Sequence, residues 1–414
     1  MILLLLACTQ PDPPLPPVIE PVGDCDPAQT WASFGEGWLA TWCTTCHSSE
    51  LEGELRGGAP DGLDFDRWED VVLVQDLVAG AALGDAPRMP PGGGPSEAER
   101  ASLAAWLACG APGEPTVSGA CANPTWIQGD ITVGPGDDPC ADGNAVEGSV
   151  TLAGGSAACL CEVTGDLVAS AGADLPVLAT VGGSVTISAA NLSADALTAI
   201  GGDLVPTADV RLPSLASVGG DLRATGVGAL DLHRLRTVGG DLIVSGGTLS
   251  SLEGIQSVAT IGGELLVADL DALTNMDAFQ VLTNVGGPIT IGPLAGLTAL
   301  DGFLVLPHAT ALTLVELPAL TVIDGFPALA AVDGKWLVRG TGLDGIAPVA
   351  AVTAVGTLTV TGNADLVSLE AFGALVRAYR MVITDNPALP TSRAESMAER
   401  VGPAEAVITG NAPD

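Results

Sequence analysis

A small all-α domain followed by a parallel β-solenoid is the fold class this sequence predicts, and three observations carry it. Gly-Gly pairs begin at residues 182, 201, 219, 239, 262 and 286, and a recurrence of roughly 20 residues is the length of one coil in a repeat array. Each pair opens a short run of alternating apolar residues, as in GGDLIVS and GGELLVA. Residues 25–112 follow another grammar: irregular, helix-like, and holding five of the seven Trp. With 54 Gly, 30 Pro and only 3% aromatic residues, the longer part suits an aliphatic core turned at glycines.

In chain order, residues 1–8 (MILLLLAC) are an apolar run ending in Cys8. This resembles the signal segment of bacterial lipoproteins, although no basic residues precede the run, and it implies lipidation of Cys8. A cell-envelope location follows as the expectation, lipid-anchored on the periplasmic or outer-membrane side. Residues 9–24 are Pro-rich and read as an extended linker. In residues 25–112, Asp26 to Trp42 and Asp66 to Leu77 read as helices. A third runs to Ala108, with Ser96 as N-cap, Glu99 completing a capping box, and Leu103, Trp106 and Leu107 on one face. Residues 113–128 form a second linker.

Residues 129–414 then carry about fourteen copies of the strand unit, from GDITVG at 129 to EAVITGN at 405. Period-two alternation places Leu242 and Val244 inside and Ile243 outside. One coil cannot bury its aliphatic row alone, so neighbours must stack. The recurring VGGDL wording resembles the receptor L-domain, whose leucine-rich-repeat-like coils form a right-handed parallel β-helix; that fold is what the resemblance implies. The outward positions Thr186, Val205, Arg223, Ile243, Leu266, Thr290, Thr313, Leu337, Thr359 and Val382 form a flat stripe without aromatics. Asp203, Asp221 and Asp241 after the glycines read as turn hydrogen-bonding devices rather than calcium ligands.

The densest chemistry is Cys43-Thr44-Thr45-Cys46-His47, a C-x-x-C-H pattern of the c-type haem kind. Met89 stands in Arg88-Met89-Pro90-Pro91-Gly92 and is followed by the helix that carries Trp106. Motif order, spacing and closing helix resemble class I cytochromes c over residues 25–112. The resemblance implies one covalent haem c, with Cys43 and Cys46 as thioether sites, His47 as proximal iron ligand and Met89 as distal ligand. Cysteines elsewhere suit an exported chain. Cys25 and Cys109 flank the α domain and are expected to pair. Cys121, Cys140, Cys159 and Cys161 are expected to staple a cap on the first coil, Cys159 and Cys161 each reaching Cys121 or Cys140.

Charge narrows the function classes. A formal net charge of -35 excludes nucleic acid, whose phosphates need clustered Lys and Arg. No nucleophile–base constellation stands in the sequence, and His233 and His308 read as isolated corner residues, so no enzymatic role is expected. Two functions remain. In the first, an exported monohaem cytochrome transfers electrons, with the solenoid as docking module. Its redox partner would present a basic face, because fifteen acidic residues stand against four Arg between Asp26 and Glu114. The alternative is a cell-surface recognition or adhesion protein whose solenoid binds a surface protein or glycan and whose first domain is accessory.

Overall fold

The computed structural model of the protein describes residues 29–48, 51, 53–56, 59, 64–66, 68–83, 94–111, 124–155, 157–189, 192–323, 325–344 and 352–414. The chain divides into two compact units, Met1–Thr116 and Val117–Asp414.

Helices form the described part of the first unit: α1 (Glu36–Trp42), α2 (Trp68–Leu73), α3 (Gln75–Ala82) and α4 (Glu97–Ala108). A wide π-type turn over Trp31–Gly35 leads into α1. The expected single helix from Asp66 is two, because the backbone breaks at Val74, which leaves helical geometry with ψ at 20°. The α4 N-terminus is the capping box its sequence describes: Ser96 Oγ accepts from Glu99 N at 3.3 Å and Glu99 Oε2 accepts from Ser96 N at 2.7 Å. The Ser96 hydroxyl, which donates to Glu99 Oε2 at 2.7 Å, and then the Ser96 amide hold the Glu99 carboxyl below the usual carboxylate range. Leu103, Trp106 and Leu107 are buried with Trp38, Leu39, Phe65, Trp68 and Val71 in one apolar cluster. A side chain at Gly35 would run into the Trp106 ring, so glycine is required there.

A parallel β-solenoid fills residues 126–409. Its main sheet has fifteen strands: fourteen follow one another from Ile131–Val133 to Glu405–Thr409, and His308–Ala309 pairs beside Ala331–Val332. A second parallel sheet of nine strands runs from Trp126–Gln128 to Asn284–Val285. In-register pairing makes columns of like residues: Leu222, Leu242, Leu265, Ile289, Leu312, Trp336, Leu358 and Met381 line up along the inside of the main sheet. All eight are fully buried, in a core continuous from Val133 to Val401. At about 25 cal/mol per Å2 of apolar surface, that row is the main source of cohesion between coils.

The Gly-Gly corner joins the two sheets. A Cβ on Gly239 would collide with the carbonyl oxygen of Gly219 one coil below, so the coils close up only without side chains there. Beside the glycines the acidic residues form a ladder. Asp203 Oδ1 accepts from Asp221 N at 2.8 Å, Asp221 Oδ1 from Asp241 N at 2.7 Å, and Asp241 Oδ1 from Glu264 N at 2.9 Å. The expected hydrogen-bonding role of these residues therefore runs between coils rather than within one turn. The Asp241 amide and the Arg223 guanidinium hold the Asp221 carboxyl below its ordinary range.

Later coils are stacked by other side chains. Phe279, Phe303 and Phe326 lie ring on ring at centroid distances of 5.4 and 4.9 Å. Asn363, Asn386 and Asn411 form an amide ladder: Asn363 Nδ2 donates to Asn386 Oδ1 at 3.0 Å and Asn386 Nδ2 to Asn411 Oδ1 at 3.1 Å. Helix α5 (Thr391–Val401) packs Ala394, Met397 and Val401 against the last coils, and Arg400 donates to the carbonyls of Phe372, Gly373 and Leu375.

Candidate functional site

The CTTCH segment closes α1. Cys43 N donates to Leu39 O at 2.7 Å, and the amides of Cys46 and His47 both donate to Cys43 O, at 3.1 and 3.0 Å. Cys43 and Cys46 are free thiols, and burial pushes the Cys43 thiol up to about 12. The His47 ring is buried and lies flat on Phe65, with centroids 4.6 Å apart and planes at 22°. His47 O also accepts from Phe65 N at 2.8 Å. Beyond it, buried Arg56 clamps the loop, donating to Ser48 O at 2.8 Å and pairing with Asp64 at 2.7 Å.

These residues do not fit the expected haem c. Among the described residues no group of three or more His, Cys, Asp or Glu is placed to hold a metal ion. The His47 imidazole packs on Phe65, and the neighbouring Cys43 is a half-buried thiol whose raised value keeps it neutral. The haem expectation is corrected accordingly, and an electron-transfer role with a basic-faced redox partner loses the carrier on which it rested. Met89, Cys8, Cys25 and Cys121 lie outside the described residues.

Of the open cysteine pairings, Cys140–Cys159 is formed; Cys109 and Cys161 are disulfide-bonded as well. The two solenoid histidines are not isolated. His233 Nδ1 lies 2.6 Å from Asp231 Oδ1, and His308 Nε2 lies 2.9 Å from Asp333 Oδ2. The outward stripe from Thr186 to Val382 is half-buried throughout. Arg223 in it is taken up by Asp221 at 2.6 Å and Asp241 at 3.4 Å.

A binding geometry appears where the solenoid changes its corner. Over Ala331–Thr341, Ala354–Thr361 and Arg377–Thr384 the strands run unbroken round the bend. Between Val332 and Lys335 the register shifts by a bulge, so that Asp333 and Gly334 face Gly356, which in turn faces Tyr379. The result is a cavity of about 430 Å3, with Asp333 on one wall and Arg377 and Tyr379 on the other. Its floor is Ala331, Ala354 and Gly356, continued by Gly402 and Ala404. A Cβ on Gly356 would strike the Asp333 carbonyl, so the floor is flat by necessity. A volume of this size falls in the range of small-molecule sites, roughly 300–1,000 Å3.

Tyr379 is the single tyrosine of the chain and is 71% exposed. It supplies an aromatic surface that the outward stripe lacks, because it sits at the corner rather than in the stripe. The Arg377 guanidinium has no ion pair or hydrogen bond among the described residues, whereas that of Arg380 is held by Glu405 at 3.1 Å. The sequence carried one signal for this site: in the copy beginning YRMVITD, Tyr379 stands where other copies place glycine.

No protein family matches the chain, and neither curated proteins nor solved structures give a match. Fold and groove therefore define the class, a parallel β-solenoid with a polar-walled corner cavity. Among the described residues no helix is long and apolar enough to cross a membrane.

Proposed function

We infer that the chain is an exported recognition protein whose solenoid is the working part. Its partner docks at the corner groove of the last coils, and the helical unit is accessory. The observation that carries this reading is the groove: a guanidinium unpaired among the described residues and an exposed phenol face a carboxylate across a floor of methyls and glycine. Polar groups placed around a small apolar floor are the usual composition of a ligand site. The Cys140–Cys159 disulfide suits an oxidising compartment. The MILLLLAC segment and Pro-rich linker suit a lipid-anchored protein of the bacterial cell envelope, and the VGGDL pattern suits receptor L-domain-like coils of the right-handed kind. The reading is one of binding, with no bond made or broken. Arrays of immobilised glycans and peptides, probed with the full chain and with Ala354→Leu, test it. Leucine fills the floor from a half-buried position. The account expects saturable signals that the variant loses; signals that survive Ala354→Leu unchanged, or none at all, contradict it.

A further inference from the structure

The groove's chemistry is specific enough to name a ligand class, and the inference rests on the groove being the recognition site. Its walls differ. On one side Arg377 offers a planar guanidinium fork without a partner among the described residues, the geometry that takes a carboxylate bidentately. Next to it Tyr379 presents an exposed ring, an apolar face with a polar edge. Across the floor, the Asp333 carboxylate accepts from His308 Nε2 at 2.9 Å; an ionised carboxylate has about four lone-pair sites, which leaves capacity for hydroxyl donors. Asp333 and Tyr379 lie on strands separated by one intervening strand, so at about 4.8 Å per strand the walls stand about 10 Å apart. That width admits one six-membered ring. The floor of Ala331, Ala354 and Gly356 has nothing larger than a methyl group, so it can seat the C–H face of a ring but cannot grip a long apolar side chain.

We propose that the groove binds a carboxylate-bearing sugar residue, a hexuronate. Its carboxylate lies on Arg377, its ring against Tyr379 and the methyl floor, and its hydroxyls toward Asp333. An amino-acid side chain fits less well, because the floor gives no depth to an apolar group and leaves the hydroxyl-accepting wall unused. Charge explains why a short acidic oligosaccharide, with one residue seated on Arg377, suits the site better than a long polyanion. The chain carries a formal charge of -35, whose repulsion acts over a Debye length of about 8 Å at physiological salt. Contact with Arg377 is local and is screened less.

The single tyrosine makes the test direct. Full-length protein labelled with 3-fluorotyrosine has one fluorine resonance, that of Tyr379. Trigalacturonate should shift it saturably, maltotriose should need at least about 10-fold higher concentration, and Arg377→Gln should weaken trigalacturonate binding about 10-fold or more. Arg377 is exposed, so the variant keeps the fold, and an unchanged fluorine line in the ligand-free variant verifies this. A response to a tri-aspartate peptide with none to trigalacturonate overturns the sugar and leaves the groove as a recognition site. Equal response to maltotriose and trigalacturonate overturns the role of Arg377. Silence toward all three probes overturns the sugar alone if array signals remain sensitive to Ala354→Leu, and overturns the recognition reading with it if none are.

Discussion

Replacing Asn386 by alanine should loosen the last coils more than replacing Asn411, which ends the ladder. Asn386 is fully buried. Its Oδ1 accepts from Asn363 N at 3.1 Å and Asn363 Nδ2 at 3.0 Å, while its Nδ2 donates to Val360 O, Thr384 O and Asn411 Oδ1 at 3.0–3.1 Å. Truncation orphans the Asn363 amide in a place water does not reach, at about 1–3 kcal/mol. The remaining bonds are partly replaced by neighbours and add about 1 kcal/mol, so the expected loss is about 3 kcal/mol. Asn411 is half-exposed and ends the ladder, so water can serve its partners and Asn411→Ala should cost about 1 kcal/mol. Hydrogen exchange read by mass spectrometry suits the question, because openings in a repeat array are local. In Asn386→Ala, peptides covering 354–363 and 377–386 should exchange about 100-fold faster, while those covering 222–245 should not change. Equal effects of the two variants, or acceleration spread evenly over all coils, would refute the ladder as the local clamp.

Other expectations follow from single contacts. Arg56→Met should destabilise the helical unit by about 2 kcal/mol, since it leaves the half-buried Asp64 carboxylate without its cation; tryptophan fluorescence reads this in thermal unfolding, and an unchanged midpoint contradicts it. Because burial raises the Cys43 thiol to about 12, iodoacetamide at pH 8 should leave Cys43 unmodified in the native protein and react with it after denaturation, as mapped by peptide masses. Burial first, and then the charge of Asp301, push the Asp277 carboxyl above its ordinary value. Its ionised form therefore costs stability, and Asp277→Asn should raise the melting temperature at pH 7, with the gain vanishing once acid protonates the wild-type group. Asp221 has the opposite sign. Its folded value is lowered, so its contribution is present at neutral pH and is lost as pH falls through that lowered value. Asp221→Asn should show a smaller acid-induced drop in melting temperature than the wild type.

What the sequence made legible follows from where the controlling interaction lies. The α4 cap rests on Ser96 and Glu99, three residues apart, and such local chemistry can be read directly. The inside columns of the solenoid follow from alternation, which is again a property of adjacent residues, and the main sheet follows from its recurrence; the second sheet, built mostly of two-residue strands before the glycines, is too short to show alternation. The asparagine ladder was harder to see. Its signal is the triplet pattern TGN, TDN, TGN at 361, 384 and 409, whose meaning depends on coils of unequal length falling into register. The CTTCH motif misled for a related reason. Five residues specify a haem site only in the right tertiary setting, and here no group of three or more His, Cys, Asp or Glu among the described residues is placed to hold a metal ion, while Phe65, eighteen positions on, packs on the His47 ring. The groove lay hidden because three strands contribute to it. Asp333, Gly356, Arg377 and Tyr379 are each ordinary surface residues until the bulge after Val332 sets them opposite one another.

Hydrogen exchange shows where a bound partner sits on the solenoid. Full-length protein saturated with a ligand selected from the arrays should show slowed hydrogen exchange in peptides covering 331–334, 354–357, 377–380 and 402–405, the segments that line the corner cavity. Protection confined to those segments is the result the account predicts. Protection on the outward stripe between residues 186 and 290, or in the helical unit around His47, with the corner unchanged, would contradict it.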